Sequence, residues 1–196
     1  MQANPPPSRH PIRLRVTDDL RRSRVTVFFR LLLAIPHLVW LSLWAIIVLL
    51  AAIVNWFATL FAGRSPRGLH EFIARFLVYA THVTSYLTLT ANPFPGFAGK
   101  PGYPVDLEVD PPERQSRWVT GFRLILAIPA ILLMQVLQGV SRLVAVLSWF
   151  VALVLARIPE GMRNLNAYCI RYEQQTLAYL LLLTGRYPSL SFPKVE

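Results

Sequence analysis

Sliding the sequence against itself by 93 positions aligns its two halves without a gap, and no other feature constrains the fold as strongly. Between positions 11 and 97 there are 27 identities in 87 aligned pairs. FRLLLAIP at 29–36 lies on FRLILAIP at 122–129, Trp56-Phe57 on Trp149-Phe150, and Arg64-x-Pro-x-Gly68 on Arg157-x-Pro-x-Gly161. One supersecondary unit has been duplicated in tandem. Residues 11–103 form the first repeat and 104–196 the second, after a Pro-rich tail over 1–10 that is expected to be disordered.

Each repeat begins with alternating apolar and charged residues, PIRLRV at 11–16 and PVDLEV at 104–109. Period two marks a half-buried strand. Arg13 and Arg15 fall on Asp106 and Glu108, so the strands are expected to pair about a pseudo-twofold with opposite charges on one face. Two independent extended leaders are the alternative. Pairing puts both repeat starts on one side of a membrane, so each repeat crosses an even number of times.

An Arg/Ser linker leads into 32 residues, 31–62, without a charged side chain, and in the second repeat into 33, 124–156, interrupted only by Arg142. A spanning helix needs about 20 such residues. At about 1.5 Å per residue each run reaches roughly 48 Å, against a hydrocarbon core of roughly 30 Å. The excess leaves three readings open: tilt or protrusion, a kink at Pro36 or Pro129, or a re-entrant hairpin. Gln135, Gln138 and Arg142 make one stripe beside Gly139 and Ser141, and an arginine at that depth is expected to face protein, water or a head group. A signal peptide does not fit, because the second apolar run sits mid-chain.

The Arg-x-Pro-x-Gly turn reverses the chain into a second, more polar helix. Glu71 and Arg75 are spaced i, i+4 as an ion pair. The later copy carries Asn164, Asn166, Arg171, Glu173, Gln174 and Gln175. Such helices either cross with the polar face buried or lie in the interface.

Of the 20 basic residues, seven arginines precede the first apolar run, so the N-terminus is expected to be cytoplasmic, in a multi-pass protein of the inner membrane. Anionic lipid is the expected partner of this basic leader. Nucleic acid is not, since the bases flank hydrocarbon-length segments. Cys169 is the single cysteine and excludes an internal disulfide. The tryptophans fit interfacial belts.

LAIPH at 33–37, the Arg-x-Pro-x-Gly-Leu turn ending at Leu69 and Arg-Tyr-Pro at 186–188 resemble a bacterial membrane family named domain of unknown function 4389, present here twice. Ala130 stands where the first copy has His37, and Glu160 where it has Arg67. The resemblance implies a membrane fold and no reaction.

The architecture expected is therefore an all-α membrane protein of two repeats with a small two-stranded cytoplasmic sheet. Nucleophile–base pairs, metal-ligand clusters and nucleotide fingerprints are lacking in the sequence, so no enzyme and no cofactor is expected. His37 and His82, at similar depth on neighbouring helices, are the one pair placed to hold a haem or metal. Arg30, Arg64, Arg123, Arg142, Arg157 and Arg171 are the candidates for head-group contact or a polar path. The leading expectation is an accessory, assembly or scaffold subunit that packs on another membrane protein or on itself. A lipid or small-solute carrier or channel, with Gln175 also on its path, and a membrane-shaping protein are the alternatives.

Overall fold

Alternation turns Ile12, Leu14 and Val16 to one side of a strand and Arg13 and Arg15 to the other, and the same holds for Val105, Leu107 and Asp106, Glu108. In the computed structural model, which describes residues 10–191, these segments are β1 (Ile12–Val16) and β2 (Val105–Val109). They pair antiparallel with Arg13 opposite Glu108 and Arg15 opposite Asp106. Arg13 bonds Glu108 at 3.0 Å and Asp110 at 2.7 Å. The charge-complementary pairing expected from the sequence is thus formed. Except for His10, the Pro-rich tail lies outside the described residues.

The first apolar run is one helix, α1 (Arg24–Ala62), followed by α2 (Arg67–Leu87); the second repeat has a short α3 (Arg117–Gly121), then α4 (Arg123–Leu155) and α5 (Glu160–Leu180). Gly121 stands where the first repeat has Phe28. A helix-weakening glycine there accounts for the break at Phe122 that α1 lacks. Both long helices run on through Pro36 and Pro129, and neither folds back as a hairpin. They end on left-handed residues, Gly63 at φ 71° and Ala156 at φ 54°, which return the chain sharply.

The duplication is visible contact by contact. Trp56 Nε1 donates to Thr120 O, and Trp149 Nε1, 93 positions on, donates to Val27 O. The main-chain bond Gln115 N to Gly63 O is matched by Arg22 N to Ala156 O. Leu14 faces its own equivalent, Leu107, so the pseudo-twofold passes between them. An axis relating adjacent antiparallel strands stands normal to the sheet.

Three layers stack along that axis. The sheet rests on α2 and α5, and α1 and α4 cover the far side of that pair. Ile12, Leu14, Val16, Val105 and Leu107 pack on Ile73, Leu77, Ala167 and Ile170 between the first two layers. Helices α1 and α4 run antiparallel, the start of each beside the end of the other, as the two tryptophan bonds require.

Candidate functional site

On α4, with 100° per residue, Leu132, Val136, Leu143, Phe150 and Val154 fall within about 20° of one line, and Ala127, Ala130, Met134, Ser141 and Ala152 fall on the opposite side. The second set is buried against α5 and the first is exposed. Helix α1 divides likewise: Val27, Ala34, His37, Val48 and Asn55 point inward, while Leu31, Leu32, Leu49, Leu50 and Phe61 are each at least 60% exposed. The outer layer is therefore a broad sheet of uncovered aliphatic and aromatic side chains, far beyond the few hundred Å² usual on a soluble monomer. Both helices are long and apolar enough to cross a membrane.

Behind this face lie the arginines of the FRL motifs. Arg30 is 1% exposed and donates through Nη1 to Tyr86 O (2.6 Å) and Ala91 O (3.0 Å), with its guanidinium 4.3 Å from the Tyr86 ring centre. Arg123 repeats this on Tyr179 O and Thr184 O over the Tyr179 ring. Each ties the start of a long helix to carbonyls at and just past the end of the following helix. Expected on a head-group or polar path, Arg30 and Arg123 are instead sealed inside, where each joins a main-chain amide on one carbonyl (Leu89 N on Tyr86 O, Leu182 N on Tyr179 O) and reaches a second carbonyl beyond it. Arg171 is a second correction. It is 4% exposed and clips the C-terminal segment through Ser189 and Ser191.

Arg64 and Arg157 are exposed at the turns after α1 and α4, where their main chains bridge to Arg114 and Arg21. Arg142 is exposed too, on the shoulder between the apolar and the buried lines of α4. Gln135 and Gln138 share that shoulder, and Gln138 donates to Glu173 at 2.9 Å. Burial pushes the Glu173 carboxyl up; Gln138 and the charge of Arg142 oppose it.

The histidines have separate partners. His37 Nδ1 shares a hydrogen bond with Tyr79 Oη at 2.7 Å and stacks on Phe97. His82 Nε2 donates to Asp106 Oδ1 at 3.0 Å and lies over Tyr103. Among the described residues no group of three or more metal-ligating side chains gathers. Burial alone would raise the Asp106 carboxyl; the His82 bond and the amides of Gly102 and Leu107 hold it below the usual carboxylate range.

Sequence reasoning missed Asp106 as a partner for His82, and it missed the buried pair Arg22–Asp18 at 2.6 Å, whose arginine also donates to Leu89 O. Gln115 takes the place of Arg22 in the second repeat and donates to Leu182 O. The 93-residue alignment of Arg22 on Gln115, both long donors, was the available signal. The ion pair expected between Glu71 and Arg75 is not formed among the described residues; both side chains are exposed, where water competes for each charge.

A family described as domain of unknown function (DUF4389) has a profile that matches twice, over residues 24–98 and 117–191. No curated protein and no solved structure matches the chain.

Proposed function

The chain belongs to the DUF4389 family, with two copies of the domain in tandem, and from that premise we propose that it is a non-catalytic membrane scaffold seated flat in one leaflet. The observation that carries this is the opposition of its two faces along the pseudo-twofold. One is the apolar surface of α1 and α4; the other is the charged outer surface of the sheet, with Arg13, Arg15, Asp106 and Glu108. Setting α1 upright across a bilayer would bring α2 and the sheet beside it into hydrocarbon. Each of those charges would then cost about 2.5–3.5 kcal/mol on the insertion scale. Laying the axis along the membrane normal keeps every one of them in water and covers the apolar face with acyl chains.

In this arrangement the long helices lie in the plane and do not form a crossing pair. The sheet and turns make a platform on the aqueous side for another membrane protein or a second copy. The buried polar side chains support a structural role, since Arg30, Arg123 and Arg22 cap main-chain carbonyls.

Single cysteines at Arg15, Arg64 and Arg157, in a Cys169→Ala background, test the reading with an impermeant thiol reagent on intact and opened cells. All three are expected to react from the same side. Reaction of Arg64→Cys from the side opposite to Arg15→Cys means that α1 crosses and overturns it.

A further inference from the structure

The pseudo-twofold that relates the repeats does not extend to their surface charge. At one edge of the molecule the turn after α1 meets the linker before α3: Arg64 and Arg114 bridge through their main chains, and Gln115 N donates to Gly63 O. At the equivalent edge the turn after α4 meets the linker before α1 through the bridge of Arg157 with Arg21. At both edges the chain passes between the apolar outer layer and the charged sheet. In the seated arrangement that is the level of the lipid head groups.

At the first edge Arg64, Arg67, Arg114 and Arg117 are all exposed. None of these four side chains has a hydrogen-bond or ion-pair partner among the described residues. Glu113, the acid beside them in the chain, is half-buried and accepts from Thr184 Oγ1 at 3.2 Å. The second edge differs. There the exposed Arg21, Arg24 and Arg157 share the surface with two exposed carboxylates, Asp19 and Glu160. Along the 93-residue alignment Pro112 stands in place of Asp19, and Arg67 in place of Glu160. The first edge therefore gathers like charges with no exposed carboxylate to offset them, and the compensating anion has to come from outside the chain.

The same edge carries a second asymmetry. Trp118 stands where the first repeat has Val25, and at 79% exposed it is the most exposed large apolar side chain among the described residues. It stacks on Phe122, and Phe61 at the end of α1 is 73% exposed. Tryptophan beside arginine is the pairing favoured at a membrane–water boundary, with the ring at head-group depth and the guanidinium on phosphate oxygens. A soluble acidic partner would answer the arginines but leave these rings in water.

We propose that this edge is an anchor for anionic glycerophospholipids: Trp118 and Phe61 enter the boundary of the acyl chains, and Arg64, Arg67, Arg114 and Arg117 hold head groups of net negative charge. The anchor rests on the membrane-seated reading above and deepens it, because it gives the seated protein one lipid-selective end.

Ser116 and Ser23 are equivalent exposed residues at the starts of α3 and α1, and neither side chain makes a capping bond. Ser116→Cys and Ser23→Cys, each in a Cys169→Ala background, carry an NBD fluorophore in phosphatidylcholine vesicles. Quenching by a trace of nitroxide-labelled phosphatidylglycerol is compared with quenching by the same trace of nitroxide-labelled phosphatidylcholine. Taking the ratio at each label removes differences in depth. An arginine near an anionic surface is worth about fivefold in local enrichment. A ratio of roughly threefold or more is therefore expected at position 116, and a ratio near one at position 23. Exchanging Arg67→Glu with Glu160→Arg conserves the total charge and is expected to move the preference to position 23.

Equal ratios at the two labels in wild type, or ratios that the exchange leaves unchanged, overturn the anchor. Absence of quenching by either lipid at both labels instead overturns the seated reading, and the anchor with it. If the exchanged protein melts early, Arg64→Gln with Arg114→Gln takes its place and should bring the ratio at position 116 down to that at position 23; an unchanged ratio there counts against the anchor.

Discussion

Replacing Arg30 by Met tests whether the FRL arginine is the clasp between the two helices of a repeat. The substitution keeps the chain length and apolar stem but removes a charged donor held at 2.6 and 3.0 Å from two buried carbonyls. Hydrogen bonds from charged groups contribute about 1.5–3 kcal/mol each, and a buried carbonyl left unpaired costs about 1–3 kcal/mol, two views of the same loss that are not summed; Tyr86 O keeps the Leu89 amide, so the unpaired carbonyl is that of Ala91. The contact with the Tyr86 ring adds about 1 kcal/mol. Against this, Met removes a buried charge that no carboxylate hydrogen-bonds, which recovers desolvation energy. The net expectation is a loss of about 2–4 kcal/mol. At about 2–4 °C per kcal/mol for a chain of this size, Tm falls by about 4–16 °C. Circular-dichroism melts in one detergent measure it. Arg123→Met should cost a similar amount, and the double variant the sum, since the two partner sets share no residue. A melt of Arg30→Met within about 2 °C of wild type would refute the clasp.

Three further outcomes follow from particular contacts. Asp18→Ala strands the buried Arg22 guanidinium and is expected to cost about 3–5 kcal/mol, while Asp18→Ala with Arg22→Met recovers part of it; strict additivity in a double-mutant melt would contradict the pair. His70, whose Nε2 donates to Asp110 O, is held below its ordinary pKa by burial, so the folded state prefers the neutral ring. Its contribution is present above pH about 6.5 and is lost as pH falls below that value, and His70→Gln should flatten that acid limb of a Tm–pH profile. Gly99 has φ +58°, and a Cβ there would stand 2.9 Å from Arg75 O and 3.0 Å from Tyr79 N. Gly99→Ala is therefore expected to lose about 2 kcal/mol or more in the same melts, whereas Gly68→Ala, with open space around it, gains up to about 1 kcal/mol.

That the two strands pair, and in which register, was not legible in the linear chain; the duplication, the two strands and the charge complementarity between them were. Each depends on identity or alternation between residues whose spacing is fixed by backbone geometry. The same is true of the two long apolar helices, because hydrocarbon-length runs have few other folded outcomes. Tertiary structure alone decided what the arginines do. In sequence Arg30 and Arg142 are both cations beside apolar residues, yet one is sealed against Tyr86 and Ala91 and the other stands exposed on a shoulder of α4. Helical periodicity reports which residues share a face; it does not report which neighbour covers that face. The stacking of sheet, α2 with α5, and α1 with α4 supplied that answer, and with it the opposition of charged and apolar faces. His37 and His82, at similar depth by arithmetic, went to Tyr79 and Asp106 because the nearest hydrogen-bonding group in space was contributed by elements that sequence spacing does not connect.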